Sequence, residues 1–249
     1  YTVDELTFVR CLTCVARGVF AIARNISSWV EFILSITLSI SSSSEFSNKS
    51  KTAGDWYGAL DKTALITGAS SGIGKRLAYH CPEAGDNILL VARRHEKLEI
   101  IKKDITEKHS VNVHVIVSDL TKPGAVSTLL HDIEDLGLNI DILINNAGIV
   151  GHTSNKLVDL DVNALATVYD VNALGPLRVI QALFDNVARS EQKLVINISS
   201  TMGSIERNTW GSTIGYRASK AALNMINKTL AVDHGKQGLT FVVMHPGYV

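Results

Sequence analysis

Tyr216 and Lys220 stand four residues apart in Tyr216-Arg217-Ala218-Ser219-Lys220, at the start of a helical pattern. Residues i and i+4 share a helix face, which brings the ammonium near the phenol. A phenol ionises near pH 10 and is a poor acid or base at neutrality. A neighbouring cation favours the phenolate and brings it toward the working range, so the pair suits proton transfer to or from an oxygen. Taken bare, such a pair is usually an ordinary surface contact. Its position argues otherwise, because it follows an apolar run, Leu194–Ile198, that ends in Ser199-Ser200. A serine at the carboxyl end of a parallel strand lies at the mouth of the sheet, where its hydroxyl can hold a substrate oxygen.

A second constellation is Thr67-Gly68-Ala69-Ser70-Ser71-Gly72-Ile73-Gly74, with an apolar run before it and a helical pattern after it. Gly68 permits a tight turn, Gly72 lets backbone approach a pyrophosphate, and Gly74 lets helix and strand pack closely. The following helix offers free N–H groups and a partial positive charge to phosphates. An NAD site places a carboxylate at the end of the second strand, about 20 residues on. This chain reads Val91-Ala92-Arg93-Arg94 there. An arginine fork pairs with a ribose 2′-phosphate, which favours NADP(H) over NAD(H); the plainer alternative is that both arginines begin a solvated helix. Asp119, ending the third strand, is placed to accept from the adenine amino group.

The elements that must position these groups alternate regularly. Strand-like runs cover Ala64–Thr67, Ile88–Val91, Val113–Val117, Ile140–Ile144, Leu194–Ile198 and Phe241–Met244. Helical patterns fall at about 73–85, 95–109, 122–136, 161–189 and 215–235. Most runs lack polar alternation, as expected of strands buried on both faces of a parallel sheet. The expected fold is α/β, a Rossmann-type doubly wound parallel sheet of order 3-2-1-4-5-6 counted from Ala64, with helices on both faces.

The 249 residues carry 24 basic and 24 acidic side chains, and 46% are apolar with 19% charged. Such a composition excludes a disordered or collagen-like chain. Zero net charge argues against nucleic acid, whose phosphates need a basic face. Three cysteines suit a reducing compartment, and a cytoplasmic location is expected. No metal is expected, since Cys11 and Cys14 have no nearby ligands to complete a site.

Four motifs in fixed order, TGASSGIG (67–74), NNAG (145–148), YRASK (216–220) and HPG (245–247), resemble the short-chain dehydrogenase/reductase family over residues 62–249. The stretch from Val195 to Lys220 is most similar to the branch of small carbonyl reductases that includes the C-factor-like proteins. The resemblance implies Tyr216 as catalytic acid/base, with Lys220 lowering its pKa while bonding the nicotinamide ribose. It implies Ser200, rather than Ser199, as the group that orients the substrate carbonyl. Asn172, in Val171-Asn172-Ala173-Leu174-Gly175, matches the family's asparagine, which anchors a water linking Lys220 to solvent. Asn145 would tie the central strands together. The cofactor would meet Gly68, Ser70, Ser71, Gly72, Ile73, Gly74, Arg93, Arg94, Asp119, Leu120, Asn146, Ala147, Gly148, Tyr216, Lys220, Pro246 and Gly247. Met202, Gly203, His152 and Tyr248 would line the substrate pocket.

The activity so implied is hydride transfer between NADP(H) and a small or medium ketone, aldehyde or secondary alcohol. The rival readings are a cofactor-binding signalling or scaffold protein with little turnover, and an inactive fragment. A homodimer through helices 161–189 and 215–235 is expected. Two departures stand out. Pro82 falls inside the helix that follows the glycine turn, which should end or kink there. Family members continue past the HPG motif with a covering loop, a helix and a seventh strand. The sequence, ending at Val249, therefore implies a sheet without that strand, its sixth strand an exposed edge. Residues 1–61 read as a poorly ordered extension, with membrane contact through 19–40 a lesser alternative, since the charge-free part is about half of the roughly 20 residues a span needs.

Overall fold

The computed structural model describes residues 20–22, 62–151 and 156–247. Among these residues seven strands form one sheet: β1 (Phe20–Ile22), β2 (Thr63–Thr67), β3 (Asn87–Ala92), β4 (Val113–Val117), β5 (Ile142–Asn145), β6 (Leu194–Ile198) and β7 (Thr240–His245). The spatial order is β4-β3-β2-β5-β6-β7-β1, and every pairing is parallel. The strands from Thr63 onward thus have the order 3-2-1-4-5-6. The helices are α1 (Gly72–His80), α2 (His95–Lys108), α3 (Ala125–Asp135), α4 (Val162–Tyr169), α5 (Gly175–Arg189) and α6 (Ile214–His234).

The largely apolar strands are explained by two cores, one on each face of the sheet. Ala64, Ile66, Ile88 and Leu90 meet Leu77 of α1 and Leu98, Ile101 and Ile105 of α2. Leu65, Leu89, Leu143 and Val195 meet Leu129 and Ile133 of α3, and Val179 and Leu183 of α5. Successive strand residues point to opposite faces, so burial on both sides favours apolar residues at most positions. Helix α1 ends at His80, and Cys81–Ala84 form a 3₁₀ turn with Pro82 in its first positions, closed by Gly85 at φ 84°. The proline cannot extend the α-helix, and the tighter turn accommodates it.

The expected exposed edge of the sheet is corrected. Phe20–Ile22 pairs alongside β7, Phe20 opposite Val243 and Ile22 opposite His245. This apolar tripeptide satisfies the backbone groups that β7 would otherwise present to water. The remainder of residues 1–61, including Cys11 and Cys14, lies outside the described residues, as do His152 and Tyr248. Among the described residues no helix is long and apolar enough to cross a membrane.

At the amino end of the strands Asp86 is half-buried near Lys62 and Asp141, and desolvation pushes its carboxyl up to about 6. Unfolding returns it to the ordinary value near 4. Between about pH 4 and 6 the folded chain therefore keeps a proton that the unfolded chain has released, and this group's contribution to stability falls as pH rises. Asp86→Asn is expected to raise stability at pH 8 by roughly 1–2 kcal/mol and to leave it nearly unchanged at pH 4. Thermal melts of both proteins at the two pH values test this, and an equal gain at both would refute it.

Candidate active site

The carboxyl ends of β2, β3, β4 and β5 open into a cleft of about 1080 Å³. Its wall contains Gly68, Ser70, Ser71, Gly72, Ile73, Arg93, Arg94, Asp119, Leu120, Asn146, Ala147 and Gly148. Gly68 and Gly72 take φ of 67° and 55°, which residues with a Cβ rarely adopt. A Cβ on Gly72 would meet nothing within 4 Å, so its backbone faces open space. Gly74 is buried beneath the turn, where a Cβ would collide with the Asn146 amide and the Gly68 carbonyl. An open, glycine-lined backbone leading into α1 fits a pyrophosphate.

Arg94 fixes the rim of this cleft. Its Nε and Nη2 donate to the Ser70 hydroxyl at 3.1 and 2.9 Å, and Nη2 donates to Ser71 at 2.7 Å. Arg93 is exposed on the same wall. Asp119 keeps its carboxyl below the ordinary range, chiefly because the Thr121 hydroxyl donates to it. The same oxygen, Oδ1, accepts from both the hydroxyl and the backbone N–H of Thr121.

Two of the four residues matched to proton chemistry border Gly148, where a Cβ would lie 3.1 Å from Asn172 Oδ1 and 3.7 Å from the Lys220 ammonium. Asn172 lies in a π-helical turn, Asp170–Leu174, between α4 and α5. The wider turn re-aims its side chain inward. The amide accepts from Ile149 N–H and donates to Ile149 C=O, both at 2.8 Å, and donates to Ser219 at 3.0 Å. Lys220 is buried, and its Nζ donates to the Ile198 carbonyl at 2.7 Å. Desolvation brings the ammonium down to about 8. Nζ sits 5.7 Å from the centroid of the Tyr216 ring.

Burial raises the Tyr216 phenol above its ordinary value, opposed by a hydrogen bond with Ser200. Among the groups of this chain burial prevails, and the net lowering expected from a nearby cation is not seen. Ser200 also accepts from Met202 N–H at 3.1 Å. Ser199 turns elsewhere and donates to Asn224 at 2.7 Å. Pro246 and Gly247 follow β7 at the same end of the sheet, outside the cleft wall. Gly203 packs so tightly on α6 that a Cβ would fall 2.8 Å from the Lys220 backbone carbon.

Sequence reasoning missed several residues here. Thr67 Oγ1 accepts from the backbone N–H groups of Asn146 and Ala147, at 3.0 and 3.1 Å, and so joins the glycine turn to the β5 loop. Ser219 receives Asn172 and donates to the Tyr216 carbonyl at 2.8 Å. Its three-residue spacing from Tyr216 was the available signal. Asn145 does join the central strands, donating to Asn197 at 3.0 Å, and Asn197 continues to Asn227 on α6 at 2.8 Å.

Fold and cleft define a dinucleotide-binding α/β oxidoreductase. The family model for short chain dehydrogenases matches residues 62–249, and the chain belongs to that family. An uncharacterized oxidoreductase of Staphylococcus epidermidis is 31% identical over 189 residues, covering 76% of this chain and 78% of that protein. The C-signal protein of Myxococcus xanthus is 41% identical over 110 residues, 44% of this chain and 66% of its own length. Among solved structures, an alcohol dehydrogenase from the archaeon Thermococcus sibiricus, complexed with 5-hydroxy-NADP, superposes with a TM-score of 0.69 at 26% identity. That match covers 76% of this chain and 77% of the other.

Replacing Thr67 by valine leaves two partly buried N–H groups without their acceptor. Thr67→Val is expected to cost about 1–3 kcal/mol in urea unfolding, with Thr67→Ser close to wild type. Equal stability of all three proteins would show that the hydroxyl is dispensable.

Proposed function

We propose that the chain transfers a hydride between NADP(H) and a small or medium ketone or aldehyde, or in reverse a secondary alcohol. The observation that carries this reading is the buried Lys220 ammonium, 5.7 Å from the Tyr216 ring centroid and facing Gly148 of a glycine-lined cleft, with Ser200 just past the end of the neighbouring strand. NADPH, when bound, supplies the hydride to the carbonyl carbon. Ser200 holds the substrate oxygen by a hydrogen bond, and Tyr216 gives that oxygen its proton. In the reverse direction Tyr216 takes the proton from the alcohol. Lys220, with its ammonium at about 8, remains mostly charged at neutral pH and stabilises the phenolate that proton transfer leaves. Asn172, fastened to Ile149 and Ser219, holds the polar path that leads from Lys220 toward solvent.

The preference for NADP(H) is supported by Arg94, whose guanidinium is already held at the rim by Ser70 and Ser71. The 5-hydroxy-NADP of the Thermococcus sibiricus neighbour agrees with it. A homodimer belongs to the same reading, supported by exposed Val162 and Tyr169 on α4 and Met225 and Val232 on α6. A second reading, a cofactor-binding signalling protein with little turnover, is favoured by the likeness to C-signal.

Purified protein is expected to oxidise NADPH with at least some members of a panel of aldehydes and ketones. Tyr216→Phe should lower that turnover by about 100-fold or more while still binding NADPH. Tight NADPH binding with no turnover across the panel would favour the second reading. Arg94→Ala is expected to weaken NADPH binding about tenfold or more and to change NADH binding little. Equal losses for both cofactors would remove the 2′-phosphate role.

A further inference from the structure

Arg217 lies between Tyr216 and Lys220 in sequence, yet its side chain points into the protein and is only 7% exposed. A buried guanidinium is costly unless its donors are satisfied. Here Nε and Nη1 go to backbone, while Nη2 is buried without a hydrogen-bond partner among the described residues. Nε donates to the Gly211 and Ser212 carbonyls at 2.8 and 3.0 Å, and Nη1 reaches the Met202 carbonyl at 3.5 Å. Trp210 stacks on the guanidinium, with Cζ 4.2 Å from its ring centroid, and shields it from solvent.

These carbonyls belong to two different segments. Met202 sits in the 3₁₀ turn Thr201–Gly203, whose cap residue is Ser200. Gly211 and Ser212 lead into α6, where Tyr216 is the third residue. That approach is strained, since Ser212 and Thr213 have φ of 68° and 47°, left-handed values that non-glycine residues rarely adopt. Thr213 also provides no side-chain cap for α6. Lys220 and Asn224 grip the Ser200 segment as well, at Ile198, Ser199 and Gly203. Among the described hydrogen bonds, only those of Arg217 reach both segments.

We propose that Arg217 is a positioning residue whose guanidinium ties the Ser200 turn to the left-handed approach of α6 and so sets the separation of the Ser200 and Tyr216 hydroxyls. The inference rests on the reading of those two hydroxyls as the pair that holds the substrate oxygen. Without the clamp, the strained approach relaxes and the two hydroxyls part. Cofactor binding, which depends on the opposite side of the cleft, is left in place.

The test uses the full chain, wild type beside Arg217→Ala and Arg217→Lys, with NADPH and a carbonyl compound that the wild type reduces. Arg217→Ala is expected to lose about 100-fold in kcat, because a misplacement near 1 Å is enough for such a loss. NADPH affinity should be retained, and millimolar guanidinium ion should restore part of the rate. Arg217→Lys, with one compact ammonium in place of a planar fork, should not rescue. A readout independent of turnover is the titration of the Tyr216 ring carbon by NMR with labelled tyrosine, assigned by its loss in Tyr216→Phe. In Arg217→Ala this titration should move to higher pH as the Ser200 hydrogen bond is lost. A folded alanine variant with unchanged kcat and unchanged Tyr216 titration overturns the proposal. Should the alanine variant not fold, the lysine variant is judged by the same two readouts. Absence of turnover in the wild type overturns the functional reading instead, and the Tyr216 titration still decides the role of Arg217.

Discussion

The Lys220 ammonium, 5% exposed, donates to the Ile198 carbonyl at 2.7 Å, and this bond joins α6 to the last residue of β6. A cation removed from water costs several kcal/mol unless good partners compensate, so its one strong acceptor fixes where the helix can sit. Sliding or rotating α6 would strand the charge. With residue 220 held at the strand end, Asn224 one turn on meets Ser199 and Gly203, and Arg217 one turn back meets Met202. Ser200 is thereby presented to Tyr216. The same burial that anchors the helix draws the ammonium down to about 8, so a structural anchor is also a group that can exchange a proton near neutrality.

A row of amides extends this anchoring through the molecule. Asn145 of β5, Asn197 of β6 and Asn227 of α6 pass hydrogen bonds in one direction, and Asn227 ends the row on the Phe241 carbonyl of β7 at 3.4 Å. All three side chains are buried, where a lost partner is expensive. The row therefore specifies one register among three strands and a helix, which apolar packing alone would fix less sharply. On the other side Asn172 does similar work from its π turn, tying the loop after β5 to Ser219 on α6.

How much of this could be read from the sequence depended on the kind of signal. Ile88–Val91 is legible as a strand because burial on both faces forces an unbroken apolar run. The glycine turn and the Tyr216–Lys220 pair are legible because their chemistry is local, set within one turn of backbone. Arg217, Thr67 and Asn197 were not legible, since their partners lie on segments that only the finished sheet brings near. The π turn was hidden inside one long helical pattern from 161 to 189, where nothing in the apolar spacing marks one extra residue per turn. Phe20–Ile22 was hidden for a different reason, because three residues are too few to show a period.

The pairing of Phe20–Ile22 with β7 also bears on how the chain reaches its fold. It joins the first described strand to the last, so the loop it closes encloses every other strand of the sheet. Contacts of such long sequence separation are the slowest to form, because their closure entropy is met only after the intervening structure is in place. During synthesis from the amino end, the β2–β3–β4 half can assemble first, by short right-handed crossovers. The edge strand must wait for the β7 residues to be made, and sheet completion becomes the final step of folding.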